Sequence, residues 1–339
     1  MISEQLRTDI QSTIKGLKDL KELDCKAVLG LDGFIDEIVH IVDKRQDVNN
    51  YTKIDSMQEY GKRIIKAAGL STNMEMVPVK VKLGGNGPIL SNALAHLGLD
   101  VTYIGALGYP LINDVFKPME AICSLISIAQ PSHTHAIEFD DGKIIMVKTE
   151  AFKDINWDNI QRRVGLERLK VLIKECDLFG LENWTMVPYM SDIWKRLLKD
   201  ILPHLKTREQ KPFAFFDLAD PEKRKDKDII EATELIKSFS SYFKVILGLN
   251  KKEAFEVARV LGLFPEENIR REEMTLKQLN IAIAESMGIH CVVIHPVDCA
   301  SAVVEDQYFE TKGPYTSKPK LTTGAGDNFN AGFCYGQAL

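Results

Sequence analysis

The stretch YFKVILGLNKKEAFEVARVLG, residues 242–262, decides the fold. Residues 242–249 are apolar almost without interruption, which suits a strand buried on both faces. Ala254, Val257 and Leu261 then recur at helical spacing, and Gly262 follows as an ordinary helix stop. The same unit repeats in both directions along the chain. Near-continuous apolar runs occur at KAVLGL (26–31), VTYIGAL (101–107), DLFGLE (177–182), PFAFFDL (212–218) and HCVVIHP (290–296). Helical spacing lies between them, as in Ile89, Ala93, Leu94 and Leu97 before Gly98, and in Ile229, Ile230, Leu235, Ile236 and Phe239. Strand–helix alternation of this kind predicts a doubly wound α/β sheet, mostly parallel and flanked by helices.

Two regions depart from that rhythm. In MVPVKVKL (76–83), Val77, Val79, Val81 and Leu83 fall on one face, and Pro78, Lys80 and Lys82 on the other. THAIEFDDGKIIMVK (134–148) reads as two strands around the hairpin turn Asp140-Asp141-Gly142. Alternating strands belong to a sheet with one wet face. The expectation is a small β-sheet lid with strands near 34–45, 76–83 and 134–148, added to one continuous α/β domain over 24–339. Residues 1–23 precede it as a helix, with Ile2, Leu6, Ile10, Ile14, Leu17 and Leu20 on one face, packed on the domain surface.

Composition sets the broad class. The chain has 339 residues, 45% hydrophobic and 27% charged, as suits a large globular core. Lys+Arg is 43 against Asp+Glu 48, so a basic footprint for nucleic acid is not expected. No apolar run of about 18 residues predicts a membrane span, and the charged N-terminus does not read as a secretory signal. Six scattered cysteines without a C-x-x-C pair read as reduced core residues in a cytoplasmic protein.

The chemistry concentrates in LTTGAGDNFNAGF, residues 321–333. Gly324-Ala325-Gly326 is a tight turn opening a helix. Such a turn points backbone N–H groups at one spot, and the helix dipole adds positive potential there. That suits a phosphoryl group in flight. Asp327 in the first turn reads either as a base taking a proton from an attacking hydroxyl or as a helix N-cap.

The run T-G-A-G-D-x-F-x-A-G closely resembles the C-terminal motif of the ribokinase-like (PfkB) family of carbohydrate and nucleoside kinases. Gly84-Gly85-Asn86, with Ala93, Leu94, Ala95, Leu97 and Gly98, resembles that family's N-terminal motif. Asn250-Lys251-Lys252-Glu253 resembles its N-x-x-E element, and Gly33-Phe34-Ile35-Asp36 its substrate-binding segment. The four pieces stand in family order. The resemblance implies a ribokinase-like α/β fold and a kinase transferring the γ-phosphoryl group of Mg-ATP to a sugar-type hydroxyl. By the same resemblance, Asp327 is the general base, and Gly324, Ala325, Gly326 and Asn250 hold the anion and the ATP phosphates. Asp36, Asp32, Gly84, Gly85 and Asn86 bind substrate, and Glu253 organises Mg²⁺ through water. Asp32 reads equally as a turn residue before Gly33. ATP and Mg²⁺ are the implied cofactors, a monovalent cation is admitted besides them, and a homodimer through the lid is a further expectation.

The match has departures. Ile89 replaces an expected amide, which alters the sugar contacts. His295-Pro296-Val297-Asp298 stands where a glycine-rich nucleotide turn is usual, and Gly108-Tyr109-Pro110-Leu111 lacks the usual Gly-x-Asp. The sequence closes at Leu339, twelve residues after Asp327, where the family normally continues with adenine-walling helix, so impaired adenine binding is expected. Asp217 and Asp220 end PFAFFDL at a carboxyl end that faces the site in such sheets, but a turn role serves them equally. His133 and His135 read as surface strand residues, and Lys80, Lys82 and Lys143 as candidate contacts for a phosphorylated acceptor. No G-x-x-x-x-G-K-[ST] is present, so a Walker-type NTPase is not supported. Two other classes compete: a non-catalytic binding or regulatory protein on the same fold, and a nicotinamide enzyme on Gly105-Ala106-Leu107-Gly108, which lacks the third glycine.

Overall fold

The computed structural model describes residues 4–18, 24–206, 208–264, 274–316 and 324–339. Residues 1–3 and 19–23 of the expected N-terminal helix, and Leu321-Thr322-Thr323 of the glycine-rich stretch, lie outside the described residues.

The strands are β1 (Lys26–Leu31), β2 (Phe34–Arg45), β3 (Tyr51–Lys53), β4 (Met76–Gly84), β5 (Asp100–Gly105), β6 (Cys123–Ser127) and β7 (Ser132–Phe139). They continue as β8 (Gly142–Lys148), β9 (Leu178–Leu181), β10 (Phe213–Asp217), β11 (Lys244–Leu249), β12 (Cys291–Ile294), β13 (Cys299–Val304) and β14 (Gln307–Lys312). The α-helices are α1 (Glu4–Lys18), α2 (Met57–Lys66), α3 (Asn86–His96), α4 (Trp157–Arg163), α5 (Leu166–Glu175), α6 (Met190–Arg196), α7 (Asp226–Ser238), α8 (Lys251–Val260), α9 (Leu276–Met287) and α10 (Ala325–Ala338).

Among the described residues, nine strands form the main sheet in the order β14-β13-β12-β11-β10-β9-β1-β5-β6. From β12 to β6 all neighbours are parallel, and β13 and β14 close one edge antiparallel. The fold is the expected doubly wound α/β sheet, mostly parallel and flanked by helices. Its apolar runs are continuous because both faces are covered. Phe215 and Phe216 are consecutive, point to opposite faces, and enter two separate cores. Phe216 packs with Trp194 and Phe239 beneath α6 and α7, whereas Phe215 shares the other core with Leu90, Leu94 and Cys334 of α3 and α10. Strands β6, β13 and β14 carried no such run. β6 and β14 are the sheet's edge strands, where polar residues are tolerated on the open side, and β13 lies next to β14.

A second, five-stranded sheet follows β3-β2-β7-β8, with β4 pairing β2. The hairpin around Asp140-Asp141-Gly142 forms as its sequence predicts, between β7 and β8. The face expectation for 76–83 is corrected. Val79 and Val81 are each 52% exposed, because no described residue packs over them, while Lys82 turns inward to Asp36. The register explains the inner side: Lys82 lies opposite Asp36, Asp36 opposite Thr134, and Thr134 opposite Val147, one row across four strands. The N-terminal helix is also corrected. Ile14 and Leu17 on α1 stay 46% and 37% exposed, so no described element buries that part of its apolar face.

Candidate active site

Parallel strands bring all their carboxyl ends to one edge, where open α/β sheets bind ligands. Here that edge collects Asp32 after β1, Glu182 and Asn183 after β9, Asp217 ending β10, Asn250 after β11 and His295 after β12. The N-termini of α3 and α10 arrive from the same side. A cavity of about 250 Å³ lies between this edge and the inner row of the small sheet. Asp36, Lys82, Asn86, Thr134, Glu138, Lys143, Asn183 and Asp327 supply its polar wall. Phe34, Ile38, Ile89, Ala136, Ile145, Val147 and Met186 supply hydrocarbon.

α10 opens on Gly324, whose φ of +85° is in the left-handed region, and no side chain caps it. The first-turn N–H groups of such a helix have no intrahelical partners, so they stay available for an anion beside the dipole. Asp327 stands in that first turn and lines the cavity. Burial, then the charge of Asp32, pushes its carboxyl up to about 7, against a hydrogen bond from the Asn86 side chain. A group near 7 exchanges protons readily at neutral pH.

The candidate residues divide by what they touch. Asp36 reaches the cavity with Lys82 Nζ at 3.9 Å, and burial raises its pKa despite the nearby Lys82 and Lys143 charges. Gly84 stands behind Asp36: any side-chain carbon there would collide with the Asp36 carboxylate. Gly85 and Asn86 line the cavity at the start of α3. Asp32 was expected either as a turn residue or as a substrate contact. It is fully buried and does not line the cavity. Its carboxylate accepts from Asn86 N (3.0 Å), Gly87 N (3.0 Å), Asn183 Nδ2 (2.7 Å) and Tyr103 Oη (3.2 Å). It thereby anchors the N-terminus of α3, which has no other side-chain cap. Asn250 and Glu253 form a capping box on α8: Glu253 N donates to Asn250 Oδ1 and Asn250 N to Glu253 Oε2. The second Glu253 oxygen accepts Asp220 N at 2.9 Å.

Other residues were missed or set aside in the sequence. Asn183 sits at φ +61° and directs its amide to Asp32 while lining the cavity. Asp217 accepts Ala219 N at 2.8 Å and Asn330 Nδ2 at 3.0 Å, which ties β10 to α10. Burial and the charges of Glu253 and Asp327 raise its pKa well above the usual carboxylate range. Glu182 is buried, with both oxygens lacking a hydrogen-bond partner, and its pKa is likewise raised by burial and by Asp32. It is held neutral. The position of these residues at strand ends was the only available signal. His295 packs against Gly326 and tilts over Phe329 with centroids 4.8 Å apart, and burial lowers its pKa to about 4. His135 turns away from the cavity toward Glu37, at 3.3 Å.

This architecture is the class of ribokinase-like sugar kinases. The chain is similar to a probable sugar kinase from Rhizobium etli, with 17% identity, 94% of this chain and 88% of that chain covered, and a TM-score of 0.62. It is similar also to Arabidopsis thaliana ribokinase complexed with ribose and ATP, with 15% identity, coverages of 94% and 86%, and a TM-score of 0.58. Within that class, residues 8–339 match the prokaryotic ketohexokinase family, and the chain belongs to it. The ketohexokinase of Haloferax volcanii is 27% identical over 317 residues, spanning 93% of this chain and 81% of that relative. The chain is therefore a phosphotransferase with an alcohol acceptor, and the non-catalytic reading is not favoured.

Proposed function

We propose that this kinase phosphorylates a ketohexose from ATP, with Asp327 as the general base. One observation carries the reading: a carboxylate near pKa 7 lines a sugar-sized cavity in the first turn of an uncapped helix. The acceptor lies between the two sheets with its hydroxyls toward Asp36, Asn86 and Asn183. Asp327 takes the proton of the attacking hydroxyl. The N–H groups of the Gly324-Ala325-Gly326 turn receive the charge that develops on the transferring group. Asp32 and Asn183 orient Asn86, and through it Asp327. The small sheet acts as the lid that excludes water from the transfer.

The donor set fits magnesium. Asp217, Glu253 and Asp327 are oxygen donors; the charges of Glu253 and Asp327 raise the pKa of Asp217, that of Glu253 also raises Asp327, and a nearby cation would relieve that repulsion. No cluster of three or more His, Cys, Asp or Glu side chains among the described residues could cage a metal. Asn250 and Glu253 would hold it through water and nucleotide phosphates. Magnesium there supplies neutralisation of phosphate charge. A monovalent cation is tested by replacing potassium with choline in the assay. Six free cysteines, five of them buried, support a cytoplasmic setting. No described helix is long and apolar enough to cross a membrane.

The test is Mg·ATP-dependent ADP release over ketohexoses, aldoses, sugar acids, sugar phosphates and nucleosides. A ketohexose with the highest kcat/KM, and its loss in Asp327→Asn, is the expected result. Preference for another acceptor class would replace the substrate assignment. Full activity in Asp327→Asn would remove the base.

A further inference from the structure

The first turn of α3 presents two unlike groups to the start of α10. Asn86 bonds Asp327 with its amide. Ile89 lies three residues on, so both occupy one helix face. Its Cδ1 and Cγ2 lie 3.1 and 3.4 Å from where a Cβ on Gly324 would be, and it lines the same cavity as Asp327. Ile89 thus stands at the corner between the first turns of α3 and α10, against Gly324 and in the cavity that Asp327 also lines. Met186 extends the hydrocarbon along that wall. The rest of the wall mixes the polar groups of Asp36, Lys82 and Asn183 with further hydrocarbon from the small sheet, but Ile89 alone among the described apolar lining residues also packs on the Gly324 turn.

We infer that Ile89 is a specificity-determining residue: the acceptor is read at this corner as a C–H surface and not as a hydroxyl. The inference rests on the kinase reading above. A site that hydrogen-bonds a hydroxyl rejects the analogue lacking it by about 10⁴-fold or more, because its own polar groups are left unpaired. A hydrocarbon corner has no polar group to strand. The substrate hydroxyl at that corner therefore contributes little, and its removal is tolerated. Hydroxyls facing Asp36 and Asn183 have no such freedom.

The experiment uses monodeoxy analogues of the ketohexose that keep the reacting hydroxyl. In the wild type, one analogue should stay within about tenfold of the parent in kcat/KM while the others fall by about 10²-fold or more. Ile89→Asn should lower that one analogue relative to the parent by at least about tenfold, and Ile89→Leu should leave the ratio alone. Ile89→Thr carries the comparison if the Asn variant does not fold by thermal melting. Uniform loss on every analogue in the wild type, or a ratio that neither polar variant moves, overturns the inference. If the wild type turns over no ketohexose, the kinase reading fails separately. The same ratios are then read from sugar binding by calorimetry, where a flat ratio overturns the role of Ile89 and a shifted one supports it.

Discussion

With Asp327 as the proposed base, a carboxyl pushed up to about 7 would make its ionisation set the pH profile. The base must be unprotonated. With its carboxyl raised to about 7 by burial and Asp32, kcat/KM should climb as pH rises through about 7 and fall below it. Asp327→Asn should cost about 10²–10⁴-fold in kcat and abolish that acid limb, as steady-state rates between pH 5 and 9 would record. Glu182 makes the opposite kind of prediction, about stability. Its folded pKa lies well above the usual 4.5, so the folded state holds a proton that the unfolded chain releases as pH rises past that value. Stability from this group is complete below the unfolded pKa and is lost on going to neutral pH. Glu182→Gln should melt higher than wild type at pH 7 and match it near pH 4. Equal melting temperatures at both pH values would mean that Glu182 is ionised in the fold. Asp327 was legible as a candidate because its motif is local. Glu182 was not, since a lone Glu ending an apolar strand looks like any other strand terminus.

At the scale of elements, helix starts do most of the positioning. The α8 capping box satisfies two backbone donors reciprocally. Asn250→Ala should cost about 1 kcal/mol in a thermal or urea melt, in addition to any effect on nucleotide affinity. α3 has no side-chain cap of its own and borrows Asp32 from the end of β1. The sequence left Asp32 open between turn and substrate contact; the choice depends on a helix start more than fifty residues away. Gly84 reports on the same corner. Gly84→Ala would push its new methyl into the Asp36 carboxylate, so KM for the sugar should rise more than kcat falls. An unchanged KM would place Asp36 outside the acceptor site.

For the whole molecule, the small sheet has one face over the cavity and another facing outward. Val81, Glu37, His135 and Met146 form one row across the outer face, with Val81 52% and Met146 53% exposed. We propose that a second copy covers this row, making a dimer through the lid. Val81→Glu should shift sedimentation equilibrium from dimer to monomer. A wild type that sediments as a monomer at micromolar concentration rejects the dimer. Alternation in the sequence put Val79 and Val81 on one apolar face, but it cannot say whether that face is covered. Coverage depends on neighbours far along the chain or on another chain.

The sequence by itself determined what local pattern can carry. Unbroken apolar runs specified strands buried on both sides, since a half-exposed strand would alternate. The glycine turn followed by Asp327 specified a candidate anion site, since that chemistry lies within a few consecutive residues. Only the tertiary structure decided what depends on convergence. It brought Asp32, Asn183, Asp217 and Glu182 from separate strands to one edge. It spent Asp32 on four donors and turned Lys82 inward to Asp36. It also set the hydrocarbon of Ile89 in the same cavity as Asp327. The physical reason is that burial, pKa and hydrogen-bond partners arise from groups distant in sequence, and no local periodicity encodes which of them will meet.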